Sequence, residues 1–252
     1  MAVSRINRTG AVLTNIVCDN PPVNHAMLKS LGASLDPDNL NPTTRLINVS
    51  GKKIYAFLDP PHLIKLTRNA LGDYKTLLNS DGHKIHWHFI ERLHSLQNQE
   101  GHHLANKLNT NHVEYHKNKM KVSYAAQTLS QSVANAIWFC CKDLNLEEFK
   151  DAEPTVEFIK CFDILFDRLN SKDASGKFSK APIFAYNELY WRKELCKCST
   201  YIRGLRYEDG KSVFTARRRV KVFTGWLNNI EVFQRMFDDL VKIKKTFISS
   251  SL

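Results

Sequence analysis

Residues 53–71 read KIYAFLDPPHLIKLTRNAL, and within them the rhythm changes from that of a strand to that of a helix. Residues 53–58 form a short apolar run of the strand type that ends at Asp59. Pro60 and Pro61 follow, and proline suits the first turn of a helix, where its missing N–H costs no hydrogen bond. Behind them Leu63, Leu66, Ala70, Tyr74 and Leu77 recur at three- and four-residue steps, the spacing of one helix face. Lys65 and Arg68 fall off that face, where they read as solvated charges, with a phosphate-contacting face as the alternative.

The same pattern holds on either side. Upstream, residues 11–18 (AVLTNIVC) read as a buried strand with Asp19 at its exit and the turn formers Asn20, Pro21 and Pro22 behind it. Residues 23–31 suit a short helix closed by Gly32, and residues 33–45 are turn-rich. Downstream, helices are expected over 86–97 and 124–140, and after Pro154 the stripe Phe158, Phe162, Leu165, Phe166 and Leu169 marks another. Residues 171–182 (SKDASGKFSKAP) are the clearest loop. A last amphipathic helix carries Trp226, Ile230, Phe233, Phe237 and Leu240, behind the basic run Arg217, Arg218, Arg219 and Lys221. The expected fold is mostly α, a helical region preceded by a short α/β start. Two short strands do not bury a stable core, so strands from outside this chain are expected to complete the sheet.

With 252 residues, 43% of them hydrophobic, the chain can form one large domain or two small ones, which excludes disorder throughout. The net charge of +11 favours polyanionic partners such as DNA, RNA or an acidic membrane, against the alternative of a merely solvated basic surface. The six cysteines form no CxxC pair and no regular framework, as expected in a reducing compartment. The opening residues MAVSRINRTG contain no signal-peptide core, and the most apolar stretch, 133–141, is too short to span a bilayer. An intracellular protein without membrane partners is therefore expected.

Three features carry candidate chemistry. All ten histidines precede position 117, and His112 and His116 have ligand-like spacing; structural or surface roles are the stronger reading, since zinc needs four ligands in fixed geometry. Asp19 leaves a strand where a carboxylate can be held rigidly for a divalent metal, or can simply serve a turn or cap. The run DPPHL at 59–63 starts a helix. No glycine-rich phosphate loop and no Ser/His/Asp or Cys/His set stands out.

Residues 57–71, FLDPPHLIKLTRNAL, closely resemble a motif of the P-element and THAP-domain DNA transposases. Other segments resemble the same family in the same order: CDNPPVNHAMLKSLG at 18–32, LNTNHVEYHKNKMKVSYAAQTLSQSVANAI at 108–137, FDILFDRLNSK at 162–172 and VFTGWLNNIEVFQRMFDDLV at 222–241.

The resemblance implies an RNase H-like catalytic domain whose carboxylates bind magnesium, interrupted by a helical insertion that binds GTP. Asp19 matches the second catalytic aspartate, giving it both a catalytic and a metal-binding role. Residues 1–58 then belong to the catalytic domain and 59–252 to the insertion, with the last helix a candidate for return to the catalytic domain. For guanine nucleotide the resemblance points to Lys107, Lys121, Val122, Ser130 and Asp167, against the alternative of exposed helix charges and a packed serine. The family's catalytic Glu motif, its first catalytic Asp and its zinc finger are not in this sequence. The chain is thus expected to be a transposase fragment that does not cut DNA by itself. Nuclear location, transposon-end DNA as partner and homo-oligomeric assembly also follow from the resemblance. The competing expectation is a domesticated, noncatalytic DNA-binding or protein-interaction protein.

Overall fold

The computed structural model describes Thr9 and residues 13–45, 53–100, 104–105, 107–170, 187–215 and 221–239. In chain order the elements are β1 (Asn15–Cys18), α1 (Pro22–Ser30), β2 (Ser34–Asp36), β3 (Asn39–Asn41), β4 (Thr43–Arg45), β5 (Lys53–Leu58), α2 (Pro60–Tyr74), β6 (Thr76–Leu78), β7 (Lys84–His86), α3 (His88–Glu100), α4 (Thr110–Val113), a 3-10 turn (Tyr115–Asn118), α5 (Val122–Thr128), α6 (Gln131–Lys142), a second 3-10 turn (Glu147–Phe149), α7 (Glu153–Asn170), α8 (Glu188–Gly204), β8 (Arg206–Tyr207) and α9 (Val222–Phe237). The chain is mostly helical with a few small sheets, and no helix among the described residues is long and apolar enough to cross a membrane. It divides into two compact units, one of Met1–Leu63, Leu169–Leu195 and Lys221–Leu252, the other of Ile64–Arg168 and Cys196–Val220.

The first unit is built on β5. This strand lies between β1, parallel to it, and β4, antiparallel to it. Ile54, Tyr55, Ala56, Phe57 and Leu58 are all buried, and α9 packs on the strand with Val232 and Met236 against Tyr55 and Phe57. β4 covers only the first half of β5: Thr43 faces Tyr55, and the last contact on that edge is the Ala56 N–H donating to Pro42 O at 2.9 Å. Past that point two buried asparagines of α9 take the place of a strand. Asn229 accepts from Leu58 N at 2.9 Å and donates to Leu58 O at 2.6 Å, while Asn228 donates to Ala56 O at 2.8 Å. Buried backbone groups must be paired, so these polar residues sit on an otherwise apolar helix for a structural reason. Gly225 allows the approach of α2, since a Cβ there would lie 2.6 Å from Leu63 Cδ2.

The second unit is helical around Trp87, Phe89, Ile137, Phe149, Phe158 and Phe162, all buried. It also holds a sheet that the helical periodicity concealed, ordered β7-β6-β8 and antiparallel throughout. Leu77, read from its spacing as part of the α2 stripe, lies in β6. The helix ends at Tyr74 because Lys75 adopts a left-handed backbone, φ 61°, and the chain reverses into the strand. His86, expected in a helix, belongs to β7. The expected helix over 124–140 is two helices, broken where Ser130 turns extended and its hydroxyl caps α6. The turn-rich reading of 33–45 is likewise corrected to three strands of three residues each, too short to show alternation. α8 was missed although Trp191, Leu195, Cys198 and Ile202, all buried, recur at four-, three- and four-residue steps. The loop at 171–182, Arg217 to Arg219 and Leu240 lie outside the described residues.

Candidate functional site

In the first unit the parallel register fixes two carboxylates at one sheet edge. Cys18 pairs with Leu58, and the Asp59 N–H donates to Cys18 O at 2.9 Å, so Asp19 and Asp59 leave the same end of adjacent strands. Their environments differ. Asp59 Oδ2 accepts from His62 N at 2.9 Å and so caps the first turn of α2. The Asp19 side chain is 62% exposed, and its Oδ1 lies 3.9 Å from His62 Nδ1. Asn24 holds the turn by donating to Asp19 O at 3.1 Å. Asp59 and His62 were visible as residues of the DPPHL run, but only the pairing of β1 with β5 brings them beside Asp19. A two-metal site needs more carboxylates than this. Among the described residues no group of three His, Cys, Asp or Glu side chains is arranged to hold a metal ion, so the residues present do not by themselves fit a magnesium pair.

The histidines take other work. His112 is buried, with Nδ1 3.0 Å from Asn109 Oδ1 and Nε2 2.8 Å from Gln127 Oε1, and it completes the capping box of α4. Burial lowers its pKa, only partly offset by those hydrogen bonds. His116 is exposed, and His102 and His103 lie outside the described residues.

The residues expected to meet a nucleotide all fall in the second unit, while Asp19 falls in the first. Lys107 is exposed in the turn before α4, and Lys121 is exposed at the start of α5; neither makes an ion pair with a described residue. By contrast Lys117 pairs with Glu114 at 2.8 Å and Lys119 with Asp73 at 3.2 Å. Val122, half-buried, opens α5. Ser130 donates to Gln127 O at 2.8 Å and accepts from Val133 N at 3.4 Å, which leaves its hydroxyl oxygen one further lone pair. Asp167 is half-buried on α7, next to the fully buried Arg168. α4 packs on α5, and α3 on both α4 and α6.

The bend before Lys121 is seated on α2. Arg68, expected to be a solvated charge, is fully buried. Its Nη2 donates to Asn118 O at 3.1 Å and Lys119 O at 3.4 Å, and its guanidinium lies 5.5 Å from the centre of the Tyr115 ring. The missed signal was spacing: Arg68 stands four residues after Ile64 and three before Leu71, both fully buried. Tyr115 in turn donates to Asp73 Oδ1 at 2.9 Å.

An open cleft of about 930 Å³ also lies in this unit, lined among others by His86, His88, Phe89, Glu148, Asp151 and Glu157. None of the five expected nucleotide contacts lines it. Its many carboxylates are the wrong sign for a triphosphate.

Residues 61–182 match the family described as TNP-like, GTP-binding insertion domain. The human protein DNA transposase THAP9 is 25% identical over 246 residues, covering 96% of this chain. The Transposable element P transposase of Drosophila melanogaster is 35% identical over 121 residues, 48% of this chain. The chain spans 26% of the human relative's length and 16% of the fly relative's. In the solved Drosophila P element transposase strand transfer complex, a chain shares the fold with a TM-score of 0.81 at 24% identity, over 99% of this chain and 54% of that one.

Proposed function

Because this chain belongs to the family of P-element and THAP9-like transposases, we propose that its second unit is a guanine-nucleotide-binding module, working within a protein that acts on transposon-end DNA in the nucleus. One observation carries the reading: the match to a GTP-binding insertion domain runs over 61–182 and includes Lys107, Lys121, Val122, Ser130 and Asp167. Their chemistry suits the ligand. A carboxylate accepts from the guanine N1 and N2 donors, which adenine lacks in that arrangement, so Asp167 confers base selectivity. Lys107 and Lys121 meet phosphate oxygens or the base carbonyl, Ser130 offers its remaining lone pair, and Val122 packs beside Lys121.

In the first unit, Asp19 is one carboxylate of an RNase H-like site to which residues 1–58 contribute. The end of a parallel strand supports that assignment, because a rigid strand fixes the carboxylate. Magnesium would be held there together with further carboxylates. The packing of α9 on β5 supports a return of the chain to this domain after an insertion that starts near residue 59.

Titration of labelled GTP into the purified protein tests the nucleotide reading. Saturable binding is expected, weakened at least tenfold, about 1.4 kcal/mol, in Asp167→Ala and in Lys121→Ala. No saturable binding by the wild-type protein would sink it.

A further inference from the structure

We infer that Arg68 is a positioning residue for the nucleotide site: its buried guanidinium fixes the bend at 118–121 from which Lys121 and Val122 project. The inference rests on the proposed role of those two residues. The geometry links them through one carbonyl. Asn118 O accepts from Arg68 Nη2 at 3.1 Å and also from the Lys121 N–H at 3.1 Å, so the arginine lies one hydrogen bond from the Lys121 backbone. Asn69 adds a second hold on the bend, its Nδ2 donating to Lys119 O at 3.4 Å. Lys119 then reaches back to Asp73 on the same helix at 3.2 Å.

Stability does not explain this arginine. It is fully buried, its Nη1 has no hydrogen-bond partner, and among the described residues it has no carboxylate in ion-pair contact. A buried cation with no carboxylate in contact is costly, offset only in part by the charge of Asp73, and apolar side chains often replace buried charges without loss of stability. Burial lowers its pKa to about 10, which still leaves it charged at neutral pH. What a methionine there would not supply is the Nη2 donor shared by two successive carbonyls of the bend, or the Nε bond to Asn69 Oδ1 at 2.8 Å that orients the neighbouring amide.

Arg68→Met in the full chain is the test, read by thermal unfolding, by GTP titration and by amide hydrogen exchange at Lys121 in the ligand-free protein. The expected result is a Tm at or above that of the wild type, GTP binding weakened at least tenfold and exchange at Lys121 accelerated at least tenfold. Arg68→Lys, which keeps the charge and a donor for the same carbonyls, is expected to bind GTP at least threefold more tightly than Arg68→Met. Wild-type affinity in Arg68→Met would overturn the inference and leave the nucleotide reading intact. A Tm loss of more than about 10 °C, unchanged exchange at Lys121, or Lys and Met variants that bind alike would also overturn it, since the arginine would then serve the core or act by bulk. A wild-type protein that binds no GTP would remove the nucleotide reading itself, and this inference with it.

Discussion

Single residues show how far burial departs from chemical type. His25 is buried with Nε2 2.5 Å from Asn20 Oδ1, and burial, aided by the charge of Lys221, lowers its pKa from 6.5 to about 4. Between those values the unfolded chain takes up the proton and the folded chain does not, so stability falls as pH drops from about 6.5 to about 4 and then levels. Unfolding measured across that range is expected to lose this slope in His25→Gln; an unchanged slope would place the titration elsewhere. Gly72 gives a second case. A Cβ there would lie 2.5 Å from the Tyr115 ring. Alanine is favoured over glycine in a helix by about 1 kcal/mol, but such overlap in a packed site costs roughly 1–3 kcal/mol. Gly72→Ala is therefore expected to lower stability, and a variant more stable to urea would show that Tyr115 moves freely.

Elements were legible wherever one period ran long enough. β5 and the start of α2 could be read from KIYAFLDPP because an apolar run, an aspartate and two prolines occur in sequence, and the structure has Lys53–Leu58 and Pro60–Tyr74 there. Leu77 misled because a residue three positions past Tyr74 satisfies helical spacing whether or not the helix continues. Asn228 and Asn229 gave no sign of their task, since a strand edge left open by the shortness of β4 exists only in three dimensions. Their role makes a direct prediction. Asn229→Ala strips both partners from the buried Leu58 N–H and C=O and is expected to cost roughly 2–4 kcal/mol in denaturant unfolding. A loss below about 0.5 kcal/mol would mean that water or another group reaches that edge.

At the scale of the whole molecule, residue patterns and family resemblance carry different parts of the account. Periodicity yields a mostly helical chain behind a short α/β start, and the order of motifs yields the family. Neither could supply the meeting of Asp19 with Asp59 and His62, which depends on strand register, nor the burial of Arg68, which depends on what packs over α2. The net charge of +11 fits contact with nucleic acid. Binding to duplex DNA is expected to weaken steeply as salt rises, because each phosphate contact releases counterions; an affinity insensitive to salt would remove phosphate contacts from the account. Guanine recognition by Asp167 is read most plainly from base selectivity. In competition against labelled GTP, unlabelled GTP is expected to displace the label, ATP to fail at a hundredfold excess, and Asp167→Asn to shift preference toward xanthosine triphosphate, whose C2 carbonyl oxygen accepts from the new amide. Equal displacement of the label by ATP and GTP, or an Asp167→Asn protein that still prefers GTP, would contradict it.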